Sequence, residues 1–260
     1  MIGISRCHGE FFMNPQIHWF LSGLLCAGLL AGCKRVPTAA SARAEGDRLI
    51  QRGQAAPLAM TTNYMTPAAY FDQITSFPAW RTVPRGPQVF DGVPLEIGGM
   101  ICLWGENNEK QLHLKFPEAR TGIPLNRKFE TLYVYHGTFF SEKDGVPVCA
   151  VVFRYEDGSA VTNQLLYGED MLDWAANRGG RVIAPSESRS ELAWVGGSFA
   201  PDRPKAKEPL RFCLTAVENP QPDVTVGTVD LLSCKSKAAA CILALTPGKA
   251  GLMKPALSYQ

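Results

Sequence analysis

From Gln88 onward the chain places apolar and polar residues in short alternating or wholly apolar runs, each closed by Gly, Pro, Asn or Asp. The runs are "QVFDGVPLEIGG", "MICLWG", "QLHLKF", "KFETLYVYHGTFF", "PVCAVVFRY", "AVTNQLLYG", "ELAWVGG", "RFCLTAVE", "VTVGTVDLLSC" and "ACILALTP". A period of two bounded by turn residues is the mark of strands, because successive side chains on a strand point to opposite faces. Ten such runs without regular strand–helix alternation predict an all-β fold, an antiparallel sandwich of about ten strands, rather than a parallel α/β sheet. "VCAVVFRYEDGSAVTNQLL" reads as a hairpin, since Asp157 and Gly158 accept the positive φ angles of a tight turn.

Helical signals are few. "SARAEGDRLIQRG" predicts a short helix, and "TPAAYFDQI" predicts another, with Thr66 as N-cap and Pro67 in the first turn. "YGEDMLDW" (167–174) predicts the start of a third, because Glu169 and Asp170 after Gly168 suit the unpaired N–H groups of a first helical turn. The pattern divides the chain into residues 34–66 as a flexible tether, 67–247 as the sandwich and 248–260 as a tail.

The first 33 residues have a different character. "IHWFLSGLLCAGLLAGC" is apolar, is shorter than the ~20 residues of a spanning helix, and ends in small residues before Cys33. Its "LAGC" resembles a bacterial lipoprotein signal with its lipobox. The resemblance implies cleavage before Cys33, lipidation of its thiol and a membrane-anchored protein of the cell envelope, facing the periplasm or the exterior. Diacylation supplies the two chains that stable anchoring needs.

The 260 residues carry 26 basic and 24 acidic side chains, a formal net charge of +2. So even a balance argues against a nucleic-acid-binding surface. In an exported protein, Cys102, Cys149, Cys213, Cys234 and Cys241 meet a disulfide-permissive compartment. Each sits in an apolar strand-like run, and the reading preferred from sequence is a buried thiol acting as a small hydrophobe.

Candidate chemistry gathers in "YGEDMLDW". Glu169, Asp170 and Asp173 include pairs of the kind used by carboxylate enzymes on polysaccharide. Tyr167 and Trp174 have the apolar ring faces on which sugars stack. His136 in "YVYHGT" is a possible base or ligand, though alternation puts it on one face with Leu132 and Val134. Asp157, Glu218 and Asp223 are weak calcium candidates, since a hard cation draws oxygens from several loops. No serine-nucleophile elbow and no Cys-x-x-Cys spacing occurs.

The ordered motifs "VPRGPQVFDGVPLEIGGMICLWG", "FPEARTGIPLNRKFETLYVYHGT", "YEDGSAVTNQLLYGEDMLDW", "AWVGG" and "AVENPQPDVTVGTVDLLS" resemble an uncharacterised β-sandwich domain of bacterial exported proteins, of galactose-binding-like, jelly-roll appearance. The resemblance spans roughly residues 80–246 and implies the fold; the domain brings no assigned chemistry. Ala175 stands where that pattern carries a second ring after Trp174, which weakens a paired-ring sugar platform. Together these features lead to the expectation of a lipid-anchored binding or scaffolding module, with glycan or an envelope protein as partner. The alternatives are a carboxylate-based enzyme on polysaccharide and a purely structural envelope protein.

Overall fold

Two strands, β6 (Thr131–Phe139) and β12 (Ala239–Gly248), are buried at every position. A strand reaches that state only when both faces of its sheet are covered, and this sets the architecture. The computed structural model describes residues 38–59, 66–67, 82–175, 185–196 and 210–253. Cys33 and the rest of the leader lie outside them.

In chain order the remaining elements are helix α1 (Ala39–Gln51), β1 (Thr66–Pro67), β2 (Gly86–Phe90), β3 (Val93–Ile97), β4 (Gly99–Cys102), helix α2 (Glu106–Leu112), β5 (Ala119–Arg127), β7 (Pro147–Tyr155), β8 (Ala160–Leu166), β9 (Ser190–Gly196), β10 (Leu210–Glu218) and β11 (Val226–Ser233). A six-stranded sheet runs β1-β4-β12-β6-β10-β9 and a four-stranded sheet β5-β11-β7-β8, with antiparallel pairing in each. The expected all-β antiparallel sandwich is what the chain forms.

One core holds Leu132, Val134, Val151, Phe153, Cys213, Val229 and Ile242, drawn from both sheets. The opposite face of the six-stranded sheet carries a second core, in which Tyr133, Tyr135, Phe212 and Leu243 pack under Val93, Leu95 and Ile97 of the β2–β3 hairpin. Each fully buried aliphatic or Phe side chain contributes about 1.5–3 kcal/mol. β8 instead alternates, with Leu165 buried between exposed Gln164 and half-buried Leu166, as suits a strand with one wet face.

The predicted helix at "SARAEGDRLIQRG" is α1, whose Thr38 hydroxyl accepts from Ser41 N at 3.2 Å. Within the segment read as a tether, the residues after α1 run beside β12: Ala56 N donates to Pro247 O and Leu58 N to Leu245 O, both at 3.0 Å.

At three places the local structure differs from the expected pattern. Thr66 and Pro67 form β1, paired with Met100 and Gly99 at the sheet edge, and the rest of "TPAAYFDQI" lies outside the described residues. An edge is where a strand tolerates a residue without N–H. "QLHLKF" is no strand either, because its first two residues complete α2 and His113 ends that helix at a left-handed φ of 56°. Glu106 and Glu109 in the first turn outweighed the short apolar alternation. β5, which no run had flagged, pairs along β11. Gly122, Pro124 and mostly exposed polar positions hide its period.

Candidate functional site

"YGEDMLDW" begins where β8 ends, and it is not helical. Gly168 takes a φ of 79°, which turns the chain out of a helical path. The N–H groups of Asp170 and Met171 both donate to Leu166 O, at 2.9 and 3.0 Å, while Asp170 Oδ2 accepts from Leu166 N at 3.0 Å. The carboxylate thus closes its own loop, a local bond that competes with helix formation. The second half of the segment joins the six-stranded sheet. Thr138 N donates to Leu172 O, Trp174 N to Thr138 O and Arg211 N to Trp174 O, each at 2.9 Å.

Asp170 is completely buried and is the centre of a polar cluster. Its Oδ1 accepts from Arg189 Nε at 2.8 Å and from Ser190 Oγ at 2.9 Å; its Oδ2 accepts from Arg189 Nη2 at 2.6 Å. Ser190 Oγ lies 2.8 Å from Thr215 Oγ1, which lies 2.7 Å from His136 Nε2. Ser190, Thr215 and His136 are buried as well. With the Ser190 hydroxyl donating to the carboxylate, the chain of bonds runs one way if Thr215 donates to Ser190 and His136 Nε2–H to Thr215, an arrangement in which each bond polarises the next. Burial holds His136 neutral, down to a pKa of about 4, against the opposing attraction of Asp170. Its Nδ1 has no hydrogen-bond partner among the described residues.

The arrangement resembles a proton relay, yet nothing in it meets solvent except the Arg189 side chain. Its members come from the end of β8, the start of β9, β10 and β6, and together they pin the loop to the inner face of the six-stranded sheet.

The other residues read as candidates disperse. Tyr167 is in the core between the sheets and Trp174 in the core beyond the six-stranded sheet, edge-on to Phe139 at 6.1 Å. Two rings in separate cores cannot form one sugar platform. Glu169 is half-buried, and its backbone carbonyl accepts from Glu187 N at 3.1 Å. Asp173 uses its carbonyl for Arg211 Nε at 2.9 Å and its carboxylate for Ala175 N at 3.1 Å. Of the six, only His136 and Asp170 share a network.

The calcium candidates do not meet. Asp157 is engaged by the Ser159 N–H at 2.8 Å and hydroxyl at 2.6 Å in the β7–β8 turn, and Glu218 and Asp223 are exposed. Among the described residues no three His, Cys, Asp or Glu side chains gather in a metal-holding group. In "VENPQPDV" the working residue is Asn219, buried, donating to Phe129 O at 2.8 Å and accepting from the Tyr155 hydroxyl.

Two features escaped the sequence reading. At the tip of the β2–β3 hairpin, Asp91 takes a φ of 48°, and its carboxyl is pushed up to about 7, first by burial and then by the charge of Glu191. Asp91 Oδ2 and the fully buried Tyr135 Oη have no hydrogen-bond partner among the described residues. The register explains the meeting: Glu191 lies opposite Leu214, which lies opposite Tyr135, so the three share the face that the hairpin covers. Only the turn chemistry of Asp91–Gly92 was visible in the sequence.

The second feature is a cleft of about 300 Å³ between α1 and the β2–β3 hairpin. Ile50, Val89 and Leu95 supply apolar surface and Arg43, Asp47 and Glu96 charge.

No protein-family model matches the chain, and no curated protein matches it.

Proposed function

We propose that the chain is a lipid-anchored envelope protein that binds or scaffolds without catalysing. The observation that supports this reading is the complete commitment of Asp170: four donors engage a carboxylate with no solvent exposure, leaving no space for a substrate. Binding then falls to surfaces such as the cleft beside α1. Its lining has aliphatic and charged side chains but no ring on which a sugar would stack. An envelope protein is therefore the favoured partner, ahead of glycan.

The test uses the full-length chain. Saturable binding to envelope protein that Ile50→Lys weakens at least tenfold, with no signal on a glycan array, supports the reading; glycan binding indifferent to Ile50→Lys replaces the partner class. Anchoring is checked by labelled palmitate, which Cys33→Ala no longer incorporates.

A second reading, a carboxylate-based enzyme on polysaccharide, is favoured by one observation only. Asp91, with its pKa raised by burial and by the charge of Glu191, has the character of the general acid that such chemistry uses. Release of reducing ends by the wild type, lost in Asp91→Asn, would establish it over the binding reading.

A further inference from the structure

The register of β4 and β12 sets Cys102 directly opposite Cys241. Leu103 N donates to Ala240 O at 3.0 Å, the ladder bond that flanks a non-hydrogen-bonded pair, so the cysteine pair occupies the adjacent position without ladder bonds of its own. In antiparallel sheets such a pair has Cα atoms about 4.5 Å apart, with both side chains on the same face. That spacing is inside the range of about 4.4–6.8 Å spanned by disulfides. Both residues belong to the core under the β2–β3 hairpin, at 4% and 0% exposure. Among the described residues no other cysteine has a cysteine as its cross-strand partner: Cys149 faces Ser233 and Leu165, and Cys213 faces His136 and Leu192.

The pair also sits where a covalent tie has most to hold. β4 joins β12 through only two register pairs before β12 bulges between Ile242 and Ala244, and β1 in turn hangs on β4. The two thiols are separated by more than half the chain, and closing so long a loop removes much freedom from the unfolded state.

In the structure both are free thiols; we infer that under oxidation Cys102 and Cys241 form a cross-strand disulfide that staples β4 to β12. The oxidant is a second disulfide, of a small thiol or of a protein. One chain thiolate attacks it to give a mixed disulfide, and the other then displaces the remaining oxidant sulfur. The S–S bond of the oxidant becomes that of the chain, and two thiols leave carrying the two electrons and two protons. Burial keeps both thiols protonated in the closed core, so the exchange belongs to folding, before β4 docks.

The inference does not depend on the export reading, because the oxidant is supplied in the test. The reduced, unfolded full-length chain is refolded in detergent with a mixture of oxidised and reduced glutathione, its remaining thiols are alkylated, and it is digested without reduction. The expected result is a peptide pair linked through Cys102 and Cys241, with a melting temperature roughly 5–10 °C above that of the chain refolded under reduction. Cys102→Ser removes the linked peptide and the gain together, whereas Cys149→Ser keeps both. Alkylation of both Cys102 and Cys241 after refolding in the redox buffer, or linkage of either to another cysteine, overturns it.

Discussion

Asp170 and Asp91 are both acids in tight turns against the six-stranded sheet, one on its inner face and one on its outer. Asp170 meets a guanidinium, a hydroxyl and a backbone N–H. Asp91 has a buried oxygen with no donor among the described residues and a second acid nearby, and it keeps its proton up to a pKa of about 7. Both lose solvent; what separates them is whether neighbouring strands bring donors to replace the water. The first arrangement binds the fold together, and the second leaves a group whose charge changes near neutral pH.

The largest test of that contrast removes the donors' target. Asp170→Ala strands Arg189, Ser190 and Leu166 N around a void and is expected to lower stability by about 3–5 kcal/mol in urea unfolding. A loss below about 1 kcal/mol would mean the cluster is not the anchor described here.

Next comes the proton on His136. Unfolded, it binds a proton below its ordinary 6.5; folded, only below about 4. Unfolding therefore takes up a proton in that window, and stability falls as pH drops from 6.5 to about 4, by about 3 kcal/mol in all. His136→Gln keeps a partner for Thr215 and should flatten that part of the curve; an unchanged curve would place the acid sensitivity elsewhere.

Gly168→Ala, which forces a side chain onto a left-handed φ and against the Asp144 side chain, is expected to destabilise by at least about 1 kcal/mol without altering the part of the pH profile that His136 sets.

Asp91→Asn acts on the pH dependence with the opposite sign to His136→Gln. Folded Asp91 holds its proton up to about 7 but the unfolded chain releases it near 3.8, so wild-type stability falls as pH rises through that interval. The amide removes the fall. The variant should melt above the wild type at alkaline pH and match it at acid pH, and a uniform shift at all pH values would refute the assignment.

Strands were readable where one face is wet or where an apolar run ends in turn residues, as at β6, β7, β10 and β12. They were not readable at β5, whose exposed edge carries Gly122 and Pro124 among polar residues. "YGEDMLDW" misled for a related reason. Glycine followed by acids opens helices and also closes loops, and the two differ in what lies opposite. Here the deciding partner, Arg189, is 19 residues further on, and His136 is reached through Thr215, itself 79 residues from it in the chain.

By itself the sequence determined that this chain pairs short strands into an antiparallel sandwich, because side-chain alternation and turn chemistry act over a few residues. Only the tertiary structure decided that Tyr167 and Trp174 fall into different cores, that Asp170 is sealed by four donors, that Asp91 is not, and that Cys102 faces Cys241. Those outcomes depend on which distant strands become neighbours, and a buried polar group takes its character from the partners that the sheet brings to it.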